Sequence, residues 1–173
     1  MKSRVCIVDY GSGNLFSVIR ACNLCGIEPK IIRHGVDLDE FTHVVLPGVG
    51  AYDTAMKTIC ERDLDTAIIE YAKGGGKILG ICLGMQLLLQ GSEEHGWTEG
   101  LSLIKGKSIR FNENIDGQKV FVPQIQWNII DVECSMRNNS ESIVSGLPSL
   151  SYMYFVHSFY ACGVPEAYVT AKT

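Results

Sequence analysis

Apolar positions follow two rhythms along the first half of the chain. Arg4 to Val8 is a β-branched run that stops at Asp9-Tyr10-Gly11-Ser12-Gly13-Asn14, which predicts a strand running into a glycine-rich turn. Leu15, Val18, Ile19, Cys22 and Cys25 then fall on one helical face, and Gly26 stands where a helix C-terminal glycine belongs. Glu28 to Arg33 reads as a second strand and His43-Val44-Val45-Leu46 as a third, stopped by Pro47-Gly48-Val49-Gly50. Helical spacing returns over Ala51 to Glu61 and over Leu64 to Lys73, and Gly74-Gly75-Gly76 breaks it. A short apolar run, Lys77 to Ile81, then enters Gly80-Ile81-Cys82-Leu83-Gly84 and a second apolar stretch through Leu89.

Strands alternating with helices at this spacing predict an α/β fold: an open, mostly parallel sheet with helices on both faces. After Gly91 the helical period fades. Strand-like pieces appear at Ser108 to Phe111, Lys119 to Val122, Trp127 to Val132 and Tyr152 to Val156, separated by polar turns. They predict antiparallel strand additions to the same sheet, with Ser135 to Ser145 as an exposed loop. No repeat or linker divides the chain, so a single domain over 1–173 is expected.

Composition narrows the function classes. A net charge of −4 and no basic cluster argue against a nucleic-acid or anionic-membrane surface. The longest nearly uninterrupted apolar run, Ile78 to Leu89, is too short to span a bilayer, and no secretory leader is evident before Asp9. The seven cysteines, at positions 6, 22, 25, 60, 82, 134 and 162, are odd in number and scattered. That usage fits a reducing, cytoplasmic compartment better than a disulfide framework.

Candidate chemistry concentrates at the glycine-flanked turns. Gly11-Ser12-Gly13 invites a dinucleotide reading, but Phe16 stands where the third glycine is needed, and Arg33 and His34 replace the acidic residue after strand two. Cys22 and Cys25 lie toward the wrong end of their helix for a redox pair and read as core. No second Cys/His pair stands at zinc spacing, so no metal is expected. Gly-x-Cys-x-Gly at 80–84 differs: strand, sharp turn and helix start would expose Cys82 as Gly-x-Ser-x-Gly exposes a hydrolase serine. Gly80 and Gly84 remove β-carbons that would clash as strand and helix close, and the helix N-terminus favours an anionic nucleophile. Pro47-Gly48-Val49-Gly50 ends a strand at the same sheet edge and can offer backbone N–H groups to an oxyanion, with the Leu83 N–H as second donor. Of His34, His43, His95 and His157, only His157, closing an apolar strand, is placed to serve Cys82, and a structural role for it is an equal alternative.

Taken together and in order, five pieces resemble the class I (triad) glutamine amidotransferases. They are Asp9 to Asn14, Pro47 to Ala51, Gly80 to Gln86, Pro123 to Asn128, and Tyr154-Phe155-Val156-His157-Ser158. Within that family they are most similar to the glutaminase subunits of imidazole glycerol phosphate synthase, in histidine biosynthesis. The resemblance implies a flavodoxin-like fold and glutamine hydrolysis through a Cys82 thioester. Gly48, Val49, Gly50 and Leu83 would form the oxyanion hole, and Gln86 with the backbone around His157, Ser158 and Phe159 would hold L-glutamine. Ammonia would pass to a (β/α)8-barrel synthase in a heterodimer, faced by Tyr10, Asn14, Trp127 and Asn128, with no cofactor.

Two departures qualify this. The family's His-Pro-Glu segment, source of its catalytic His and Glu, is absent from the sequence, so impaired turnover or a non-catalytic partner-binding module is an expected alternative. His157 matches a different family histidine. Gln124 and Gln126 stand where the family has His and Gly, which admits a sugar amidotransferase of surface-polysaccharide synthesis as another acceptor.

Overall fold

The computed structural model describes residues 4–35, 38–115, 117–132, 142–148 and 150–173. Strand β1 (Val5–Val8) lies between β2 (Lys30–Ile32) and β3 (His43–Gly48), and β3 pairs on its other side with β4 (Lys77–Cys82). All three pairings are parallel, in the order β2-β1-β3-β4. Helices α1 (Leu15–Leu24), α2 (Tyr52–Glu61), α3 (Leu64–Lys73) and α4 (Leu83–Leu87) are interleaved with these strands.

The two-residue alternation of the strands sorts the core into two layers. Cys6, Val8, Val44 and Leu46 face α2 and α3, where Tyr52, Met56, Ile59, Leu64 and Ile68 complete the larger cluster. Val5, Ile7 and Val45 face the other way, against Leu15, Val18, Ile19 and Cys22 of α1. Helices on both faces are thus present as the periodicity predicts. The breaks also fall where the sequence puts them. Gly26 takes a positive φ of 73° just past α1, and Gly76, after α3, lies under the Tyr71 ring, whose hydroxyl donates to the Phe41 carbonyl at 3.3 Å.

Beyond α4 come β5 (Gly91–Ser92), β6 (Thr98–Glu99), β7 (Lys107–Arg110), β8 (Asn114–Ile115), β9 (Gln118–Lys119), β10 (Gln124–Val132), β11 (Leu150–His157), β12 (Phe159–Cys162) and β13 (Ala171–Lys172). The sequence reading expects them as additions to the parallel sheet, and they instead form sheets of their own. β10 and β11 pair antiparallel over eight positions and take β13 as third strand, while β12, β7, β5 and β6 form a separate mixed sheet. The long β10–β11 ladder satisfies those backbones mutually, and the bend at Ser158 turns the chain out of it into the other sheet.

The expected strand at Lys119 to Val122 survives only at Lys119, which pairs with Asn114 in the short β8–β9 ladder, and the Val120 N–H makes the last bond, to the Glu113 carbonyl at 3.0 Å. The loop expected at 135–145 lies mostly outside the described residues. On one face of the β10–β11 ladder, Ile125, Trp127 and Ile129 stand opposite Val156, Tyr154 and Tyr152, and all six are exposed. Among the described residues no helix is long and apolar enough to cross a membrane.

The buried acids of the core set an alkaline limit. Burial, with Glu40 adding, pushes the Cys6 thiol from 9.0 up to about 12, and burial raises the Tyr10 and Tyr52 phenols above their ordinary range. Above the ordinary thiol value the folded state keeps protons that the unfolded chain releases. Stability is therefore fully present below about pH 9 and falls as pH climbs toward about 12. The urea midpoint should drop between about pH 8 and about pH 11, and an unchanged midpoint over that window would contradict the assignment.

Candidate active site

The strand β4 runs directly into α4, and Cys82 is the residue at the corner. Its backbone is forced to φ 54°, ψ −117°, a region that side-chain-bearing residues rarely adopt. Two glycines permit the corner. A β-carbon on Gly80 would come within 2.6 Å of the Met85 Cα, and one on Gly84 would strike the Leu46 carbonyl oxygen of β3. The elbow predicted from glycine spacing is therefore present, with Cys82 exposed on it.

The parallel register places Gly48 directly opposite Cys82. Beyond Gly48, the Val49–Gly50 turn lines one side of a cavity of about 280 Å³, and Cys82, Leu83 and Gln86 line another. Val156, His157, Ser158 and Phe159 from the β11–β12 corner close it. The Leu83 N–H belongs to the first turn of α4, where no intrahelical acceptor exists, so it is free in principle to receive an anion. The Val49 carbonyl accepts a hydrogen bond from the Ser12 hydroxyl. Since a trans peptide points its C=O and N–H to opposite sides, this contact turns the Gly50 N–H away from Ser12. Ser12 itself sits in a turn held by Arg33, which donates to Asp9 at 2.9 Å, and by Arg62, which donates to the Asp9 carbonyl at 3.1 Å.

Gln86 is nearly buried. Its Nε2 donates to the Phe159 carbonyl at 3.2 Å, and its Oε1 accepts from the Ser108 hydroxyl at 3.3 Å. Nine expected residues thus gather here: Cys82, Gly48, Val49, Gly50, Leu83, Gln86, His157, Ser158 and Phe159.

The expected partner-facing residues separate. Asn14 caps α1, accepting from the Ser17 N–H at 3.2 Å. Trp127 is 66% exposed, tilted against Tyr154 at 5.6 Å, and Asn128 accepts from Gln126 at 2.7 Å. Tyr10 corrects the expectation of a partner contact: its side chain is 2% exposed and its hydroxyl packs under Gly48. Burial, then the neighbouring Cys82, holds that phenol in its neutral form. The apolar core takes the ring because Tyr10 continues the inward alternation of Cys6 and Val8.

Sequence reading misses three supporting residues: Ser12, Ser108 and Glu94. Glu94 also lines the cavity, and its Oε2 accepts from the Tyr52 N–H at the start of α2 at 2.9 Å. Its only signal is a place in the polar turn Ser92 to Gly96, which looks like ordinary surface. The cavity thus offers a thiol facing backbone donors, an amide and a carboxylate. That set suits attack on a carbonyl of a small zwitterion bearing an ammonium. Among the described residues no group of three or more His, Cys, Asp or Glu stands together to hold a metal.

Comparison with known proteins bears on the family and the fold. The sequence model of the family described as "Glutamine amidotransferase class-I" matches residues 6–173. The imidazole glycerol phosphate synthase subunit HisH of Chlorobaculum tepidum is 40% identical over 169 residues, 98% of this chain and 79% of that protein. The HisH subunit of Listeria monocytogenes is 38% identical over 169 residues, covering 98% of this chain and 76% of its own length. Among solved structures, a glutamine amidotransferase superposes with a TM-score of 0.73 at 19% identity, over 98% of this chain and 79% of its own. The PurLQS structure from Thermotoga maritima gives 0.69 at 21%, over 99% and 74%. At those identities the two structures speak for the fold alone.

The elbow is open to a direct stability test. Gly84→Ala should cost about 1–3 kcal/mol or more, because the added carbon meets backbone that cannot rotate away. Equilibrium urea unfolding measures this, and a variant as stable as the parent would refute the close approach.

Proposed function

The chain belongs to the class I glutamine amidotransferases, and from that premise we propose that it is the glutaminase subunit of an imidazole glycerol phosphate synthase. Cys82 on its strained elbow, facing the Gly48–Gly50 backbone across an amino-acid-sized cavity, is the observation that carries the reading. The near-40% identity to HisH subunits over almost the whole chain supports the choice of acceptor.

In this reading the Cys82 sulfur attacks the side-chain amide carbon of L-glutamine. The oxygen takes the negative charge, facing the Leu83 N–H and the Gly48–Gly50 backbone. Collapse breaks the C–N bond, the departing nitrogen takes the proton that the Cys82 thiol gave up and leaves as ammonia, and water then hydrolyses the glutamyl thioester to glutamate. Gln86 and the 157–159 corner hold the amino-acid end. Ammonia passes to a (β/α)8-barrel synthase partner, because in open water it is protonated and lost as a nucleophile. Asn14, Trp127 and Asn128 face that partner in a cytoplasmic heterodimer, and Trp127 offers it an exposed aromatic anchor.

The 173 residues contain no His-Pro-Glu. His157 alone of the histidines lines the cavity, and its Nδ1 is engaged by the Phe159 carbonyl at 2.8 Å.

Two measurements check it. A γ-glutamyl alkylating analogue should add one mass equivalent at Cys82, and Cys82→Ala should take up none. With the synthase partner, any glutamate released from glutamine should vanish in Cys82→Ala; release that persists would sink the reading. Complementation of a histidine auxotroph by the parent gene separates this acceptor from a sugar amidotransferase.

A further inference from the structure

The chain leaves β11 at His157, bends at Ser158 and enters β12 at Phe159, so a single residue carries it from one sheet to another. At this corner the Phe159 carbonyl receives two donors. His157 Nδ1 lies 2.8 Å from it and Gln86 Nε2 3.2 Å. A carbonyl oxygen only accepts, so the proton sits on Nδ1, and both lone pairs of the Phe159 oxygen are engaged. Gln86 is then held at both ends of its amide, since Ser108 donates to its Oε1 at 3.3 Å.

The other histidine nitrogen, Nε2, is buried with no hydrogen-bond partner. The ring is wedged between Phe111 at 5.2 Å and Phe155 at 5.7 Å. A side chain needed only to fill this aromatic slot would be cheaper without a polar nitrogen, because an unmet buried acceptor is a cost. What the imidazole supplies, and a phenyl or aliphatic group cannot, is the Nδ1–H.

We propose that the His157 side chain is a positioning residue for the amino-acid site. Its Nδ1–H fixes the Phe159 carbonyl, and through that carbonyl the Gln86 amide, so that two walls of the Cys82 cavity keep one spacing. The proposal rests on the glutaminase reading for the ligand, L-glutamine. It adds a role for the imidazole itself, beyond a backbone contact at the corner.

The two amide-bearing replacements separate a hydrogen bond from simple filling. In His157→Asn the side-chain N–H₂ falls where Nδ1 stands; in His157→Gln it falls where Nε2 stands. The readout is alkylation of Cys82 by iodoacetamide, followed by peptide mass, against graded L-glutamine. Because His157 lines the same cavity as Cys82, each variant's own alkylation rate without glutamine is measured first and serves as its reference. His157→Ala and His157→Gln should need about five- to tenfold more glutamine for half-protection, the effect of one neutral hydrogen bond, and His157→Asn should stay within about twofold of the parent.

Equal protection of parent and His157→Ala would overturn the proposal, as would rescue by Gln but not Asn. An unprotected parent would overturn the glutamine reading instead, a result visible before any variant is made. The side-chain amide NMR signals of Gln86 give a ligand-free check. They should move in His157→Ala and hold in His157→Asn, and unmoved signals in His157→Ala would overturn the clamp.

Discussion

One backbone-to-backbone contact governs the site. Gly84 lies so close to the Leu46 carbonyl that no β-carbon fits between them, and this closeness lets α4 begin immediately at the end of β4. With no room for a connecting loop, the reversal is taken up by Cys82, whose positive φ is the local cost. The same contact draws α4 against β3 and brings Leu83 beside Gly48, across from which the nucleophile stands. Orientation of the thiol, placement of a backbone donor and closeness of the facing turn therefore share one cause.

The rest of the cavity comes from elements with no covalent obligation to that elbow. Glu94 arrives on the turn between β5 and β6, and His157 to Phe159 arrive at the junction of two other sheets. What ties them in is polar. Gln86 reaches from α4 to Phe159 and Ser108, and Glu94 caps the start of α2. Such bonds, in a buried setting, are worth more to geometry than to stability, because each fixes a direction that packing leaves free.

Legibility in the sequence follows the range of the forces. Local signals are legible: Leu64 to Lys73 forms a helix at its expected bounds, and Gly80 and Gly84 sit where their missing β-carbons are needed. Sheet membership is not legible in the second half, since β10 to β13 carry strand patterns but nothing in a strand says which edge it joins. Family likeness places Tyr10 toward a partner, while its alternation with Cys6 and Val8 points it into the core. Ser12, Ser108 and Glu94 act through contacts across 37, 22 and 42 residues respectively, and no local pattern encodes those.

The glycines differ in what evolution can do with them. The three atoms nearest to a β-carbon on Gly76 all belong to the Tyr71 ring, a side chain that can be exchanged for a smaller one, so a change at 76 can be met by a change at 71. Gly84 has no such counterpart. Its obstacle is the Leu46 carbonyl, which every amino acid at position 46 carries. No second-site substitution at that neighbour can relieve a replacement there, and a lineage that loses Gly84 regains the elbow by reversion.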